Sequence, residues 1–327
     1  MTNSLKTVGK KILVFFLALT VVFGLGSWTA SVPSYAAAAD GLTVYLVDKA
    51  GNDQTLAQWT YDSSQKTFTE NGAEVALVKD FTDESNLTGE VNGKTYDFSE
   101  EGALVYTGLN RKPDPRCLSV TTKGILLEDL YDYAEDKAGI DLRGDTMMYL
   151  SDSTGFNDTF TYDQYWGLDK YYYPEWYAQE TYSDEFDFST ATEKYVPATL
   201  AITGFHGTTG KTVEELIASA DDANSLRISS GLQKNGNKTI KEIEGTTYSQ
   251  GDINEGMLSV KNVSVVRFTP EYNTITIDGG VESGTAGTDL VANIPNGTVS
   301  ASDNYFKAAN GETVELTVTP DTGCEVM

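Results

Sequence analysis

Few residues of this chain could carry chemistry. It holds one histidine, His206, and two cysteines, Cys117 and Cys324. Zinc sites built from several His and Cys ligands cannot be assembled from that inventory. A Ser-His-Asp triad would have to use His206, and no Gly-x-Ser-x-Gly elbow accompanies it. His206 stands in Thr203-Gly-Phe-His-Gly-Thr-Thr-Gly210, whose glycines predict a surface turn. Asp83-Glu84-Ser85-Asn86 and Asp221-Asp222 are acidic and loop-like, but neither has the order of an EF-hand. Glu175 with Asp184 or Glu185 offers two carboxylates of the type a glycosidase uses, and sequence sets no separation between them. No catalytic residue and no metal ligand is assigned.

Aromatic residues concentrate in one tract: Trp166, Tyr171, Tyr172, Tyr173, Trp176, Tyr177 and Tyr182, with carboxylates as neighbours. Rings stack on the C–H faces of sugars while Asp and Glu accept from hydroxyls. Trp166, Tyr172 and Trp176 are therefore candidate stacking residues. The competing reading packs the same rings inside the domain.

The elements that must position these residues begin after an address. Lys6, Lys10 and Lys11 precede an apolar run from Ile12 to Leu25, and small residues follow at Ser34-Tyr-Ala-Ala-Ala-Ala39. That order predicts a secretory signal peptide over 1–38. Its run of about 14 apolar residues is shorter than the roughly 20 of a spanning helix. The expectation is a secreted or cell-surface protein that does not span the membrane after cleavage. Losing the three lysines leaves 20 basic against 48 acidic side chains, a net charge of −28. Such a surface repels phosphate backbones, which argues against nucleic acid. At 40% hydrophobic and 11% aromatic, the chain can still build a sizeable core. Two cysteines make no disulfide framework, and both are expected as free thiols.

Residues 41–270 mix the two periodicities. Gly41-Leu-Thr-Val-Tyr-Leu-Val47 alternates as a half-buried strand does. Leu127, Leu130, Tyr131 and Ala134 recur at helical spacing from Leu126 to Ala138 and stop at Gly139. Thr212 and Glu215 form a capping-box pair ahead of a second helix. Strands are predicted at Met147–Leu150, Ser225–Ser229 and Leu258–Phe268, and the fold class is α+β. Beyond Pro270 the composition shifts. Gly279 to Gly287 reads as a linker or loop. Asn296-Gly-Thr-Val and Gly311-Glu-Thr-Val-Glu-Leu-Thr-Val-Thr-Pro-Asp-Thr-Gly323 then resemble a bacterial surface β-repeat, with Cys324 where that repeat carries an aromatic residue. Residues 271–327 are thus expected to be a linker and an incomplete β-repeat; because the repeat stops at Met327, the chain is expected to be a fragment of a longer surface protein or to end in an incomplete repeat.

Val105-Tyr-Thr-Gly-Leu-Asn-Arg111 followed by Lys123-Gly-Ile-Leu-Leu-Glu-Asp-Leu130 resembles the sulfite oxidase family. Its molybdopterin domain carries a Cys-x-Gly-Asn-Arg turn and then a Gly-Val-x-Leu-x-Asp-Leu-Leu segment. Tyr149–Phe156, Phe160–Asp163, Val196–Ala201, Ser225–Gly231 and Ser259–Phe268 match further segments in the same order, and Tyr171-Tyr-Tyr-Pro174 resembles exported Gram-positive relatives. The resemblance implies a mixed sulfite oxidase-like fold and a molybdopterin held by Tyr106, Arg111, Arg227 and Lys261. It also implies a thiolate on molybdenum, where this chain has Tyr106, or Val105 on a one-residue slip. A phenol is not a soft donor, and Cys117 lies 11 positions on. The expected function is a non-catalytic, cofactor-free surface module with a binding or structural role, its partner a cell-wall or surface glycan or protein. The alternatives are a molybdopterin oxidoreductase with altered ligation and a surface carbohydrate binder.

Overall fold

Gly41–Val47 (β1) buries Leu42, Val44 and Leu46, as its alternation requires, and leaves Tyr45 half-exposed. It belongs to a computed structural model that describes residues 41–109, 116–144, 147–152, 157–162, 169–178, 190–208, 210–221, 226–233, 240–243, 246–248 and 262–325. The signal segment expected over 1–38 lies outside them. Strands take 47% and helices 12%, so the architecture is a β-rich form of α+β. Among the described residues no helix is long and apolar enough to cross a membrane.

Chain order continues with β2 (Asp53–Asp62), β3 (Thr67–Glu70), β4 (Val78–Asp80), β5 (Leu104–Leu109) and β6 (Arg116–Leu126). Helix α1 (Leu127–Ala138) leads to β7 (Met147–Asp152), β8 (Asn157–Thr161) and β9 (Lys170–Tyr172). Then come β10 (Thr199–Thr208), α2 (Val213–Ala218), β11 (Arg227–Ser229) and β12 (Val263–Thr269). One sheet runs β8–β7–β12–β1–β2–β3, with Ala73–Glu74 beyond β3. Its β1–β12 pair is parallel, Thr43 opposite Val265 and Leu46 opposite Phe268. The second sheet runs β11–β10–β6, and β4 and β5 share the other edge of β6.

Helix α1 closes the space between the sheets. Leu127, Leu130, Tyr131 and Ala134 all face the core, against Val44, Trp59, Ile228 and Phe268. Each buried side chain of this size contributes about 1.5–3 kcal/mol. Gly139 ends the helix in the left-handed region at φ 70°, its N–H bonded to Glu135 O at 2.7 Å. A second core collects Phe81, Phe98, Leu104, Tyr106, Leu118 and Val196.

The C-terminal strands β13 (Val281–Ser283), β14 (Val291–Ile294), β15 (Gly297–Ala301) and β16 (Leu316–Pro320) form one antiparallel sheet over Ala292, Val299, Ala301 and Phe306. Leu316 and Val318 pair with Ala301 and Val299 but stay 41% and 44% exposed, so β16 is an open edge. Residues 281–283, inside the stretch expected as a linker, are strand instead. Asn293 Nδ2 donates to Val281 O at 3.1 Å and to Ser283 Oγ at 2.7 Å, fastening β13 to β14. This sheet is fastened to the end of α1. Asp141 N donates to Asn310 O at 3.0 Å, and Asn310 Nδ2 returns a bond to Asp141 Oδ2 at 2.8 Å.

Candidate functional site

Strands β5, β6 and β10 bring Tyr106 to Thr121 and Thr199. The Tyr106 side chain is 0% exposed. Its hydroxyl donates to Pro197 O at 3.0 Å and lies 3.0 Å from Thr199 Oγ1, which in turn lies 3.2 Å from Thr121 Oγ1. Burial pushes its phenol well above the usual range, so it is neutral. Val105, the one-residue alternative, is equally buried.

Arg227, on β11, is 5% exposed, and desolvation holds its guanidinium below the usual value. Its backbone pairs with Ala201, two residues from Thr199 on the same face of β10. Cys117, whose buried thiol is pushed up to about 12, acts on Arg227 electrostatically. The sheet therefore gathers Tyr106, Arg227 and Cys117, but as core residues. A molybdenum centre needs a thiolate; a sealed phenol and a protonated thiol do not fit one. Arg111 and Lys261 lie outside the described residues.

The aromatic tract divides similarly. Tyr172 and Trp176 are 6% and 3% exposed; Tyr172 packs on Phe98 and Trp176 lies with Tyr171 and Leu232. A sugar could stack on either ring only after it left the core. Trp166, Tyr182, Asp184 and Glu185 lie outside the described residues. Glu175 accepts from Thr192 N at 3.2 Å. His206 is not in a turn: it lies in β10, opposite Ser119 of β6. The glycine before Phe205 serves the strand instead, because a Cβ on Gly204 would stand 2.3 Å from Val120 O. Among the described residues no group of three His, Cys, Asp or Glu side chains could hold a metal ion.

An open site lies elsewhere, where the C-terminal sheet meets the end of α1. A cleft of about 230 Å³ is lined by Leu46, Asp48, Lys49, Ala50 and Gln54 at the β1–β2 hairpin, by Ala138 at the end of α1 and Ile140 after it, and by Tyr272, Asp303, Tyr305 and Glu312. The Asp48 carboxylate shapes the hairpin, accepting from Ala50 N at 2.9 Å and Asn52 N at 2.8 Å. Lys49 Nζ bridges Asp303 and Glu312, the latter at 2.6 Å. Burial works against charge at Lys49, but the two carboxylates outweigh it and raise its pKa. Burial likewise opposes the Asp303 charge, yet bonds from Lys49 and from Tyr305 N hold its pKa below the usual range. Tyr272 donates to Val47 O at 2.8 Å, and burial, then Glu312 and Asp48, push its phenol up to about 12. The lining sets three acidic side chains, Asp48, Asp303 and Glu312, against one basic one, Lys49, so the cleft is acidic.

None of these cleft residues stands out in the sequence. Asp303 follows Lys49 by 254 positions, and only the fold joins them. Comparison with known families, curated proteins and solved structures finds no match for this chain.

Proposed function

We propose that this chain is an exported cell-surface protein whose 41–270 domain is a sulfite oxidase-like fold that binds rather than catalyses and works without molybdopterin. The observation that carries this reading is Tyr106. At the position where the resemblance puts the metal thiolate, a neutral phenol is spent on core hydrogen bonds to Pro197 and Thr199. The collinear motif matches support the fold, and the basic, apolar and small-residue succession over 1–38 supports export. The β-repeat resemblance after Pro270 supports a place at the cell surface, with glycan or protein of the wall as partner. The cleft at Lys49, Tyr272 and Tyr305 is the ligand site of this reading, because it is concave, open and lined by both apolar and polar groups.

The oxidoreductase alternative would need Cys117 as thiolate, and its pKa of about 12 opposes that. The test is metal content. Protein purified from an exporting host that makes molybdopterin is expected to contain neither molybdenum nor fluorescent pterin. Near-stoichiometric molybdenum would overturn the reading.

A further inference from the structure

We infer that the cleft between the β1–β2 hairpin and the C-terminal sheet takes a small organic cation, a primary or quaternary ammonium. This rests on reading the cleft as a binding site and names the class of its ligand. Four independent features of the walls agree. The first is room: about 230 Å³ accommodates one small ligand, below the roughly 300–1,000 Å³ of drug-sized pockets. The second is charge. Asp48, Asp303 and Glu312 face one internal cation, Lys49, so the lining keeps an excess of negative charge and repels phosphates, sulfates and carboxylates.

The third feature is the helix that ends there. Ala138 is the last residue of α1 and lines the cleft, so the carbonyl end of that helix borders it. The negative pole of a helix is equivalent to about half a unit charge. Lys137, which could offset it, lies 5.4 Å from the Tyr133 ring. The fourth feature is aromatic. Tyr272 and Tyr305 line the same space, and electron-rich rings attract ammonium groups, quaternary ones above all. The wall also shows that it can hold such a group, because it already seats the Lys49 ammonium between two carboxylates. A neutral sugar would gain from the rings and the Gln54 amide but nothing from the charge or the helix pole. The charge and the helix pole therefore decide between the two classes.

The experiment is saturation-transfer NMR and calorimetry on the purified chain with choline and 1,5-diaminopentane, and with N-acetylglucosamine as the neutral probe. Ala50→Lys adds a positive charge at the hairpin, where Ala50 is exposed. Tyr305→Leu removes a ring. Circular dichroism and unfolding midpoints establish that both variants fold. The expected result is binding of the ammonium probes, weakened by high salt and at least about fivefold by Ala50→Lys, with loss in Tyr305→Leu and no response to the sugar. Binding of the sugar that survives Ala50→Lys but not Tyr305→Leu would overturn the cationic class and leave the cleft as a site. Ammonium binding unchanged in both variants would place it on the general acidic surface and overturn the inference. Silence from all three probes would overturn the inference and the reading of the cleft as the ligand site.

Discussion

Tyr106 carries two constraints at once: its ring fills the second core and its hydroxyl satisfies Pro197 O, 91 positions along the chain. Removing the hydroxyl while keeping the ring leaves that carbonyl buried without its donor. Tyr106→Phe is expected to cost about 1–3 kcal/mol, read as a lower urea midpoint with an unchanged slope. A residue whose hydroxyl faced an open cofactor cavity would lose far less on the same change. Set against the pattern the sequence resembles, position 106 carries a phenol where a thiol is expected. The sequence did not show why, because Pro197 and Thr199 become neighbours only when β5 and β10 both pack on β6. The cleft residues were illegible for the same reason. Lys49, Tyr272 and Asp303 have ordinary sequence surroundings, and their chemistry arises from distant segments meeting.

Helices were the most legible elements, because their signals are local. The capping box formed as expected: Thr212 Oγ1 accepts from Glu215 N at 3.3 Å and Glu215 Oε2 from Thr212 N at 2.8 Å. The apolar stripe of α1 and its Gly139 stop were equally local. Strand β10 was misread at its glycine-rich end because glycine has two uses, turning the chain and letting strands approach. Gly204→Ala separates them. A turn glycine with negative φ would accept alanine at little cost, whereas the contact with Val120 O predicts a loss of about 1–3 kcal/mol, measurable as a drop in thermal midpoint. The same ambiguity hid β13 inside a Gly/Ser/Thr-rich stretch. Its backbone ladder with β14 is reinforced by the amide of Asn293, and all three of its residues are exposed, so no apolar pattern marked it.

Across the whole molecule, an acidic chain holds its C-terminal segment against the β1–β2 hairpin partly through one half-buried cation. The Lys49 bridge to Asp303 and Glu312 has a definite pH window. Asp303 has a depressed folded pKa, so its contribution is complete above the unfolded value of about 3.9 and is lost as pH falls through the folded one. Lys49 has a raised folded pKa, so its share is complete below about 10.4 and is lost as pH rises through the folded value. Thermal midpoints of wild type and Lys49→Met should therefore differ by a constant amount between about pH 5 and 9, and converge towards both extremes. A difference that changes across neutral pH would show that other groups control the joint. The acidity was plain from composition; its focus on one joint was not.

The parallel pairing of β1 with β12 has a mechanical consequence. The chain enters β1 at Gly41 and leaves β12 at Thr269 towards the C-terminal sheet. Tension applied to those two ends pulls the strands past each other along their length. Every hydrogen bond between Thr43–Leu46 and Val265–Phe268 is then loaded together. The hairpin of β14 and β15, pulled from its open ends, would instead unzip one pair at a time. Pulled between its two ends, the domain would thus meet its stiffest clamp in the middle of its larger sheet.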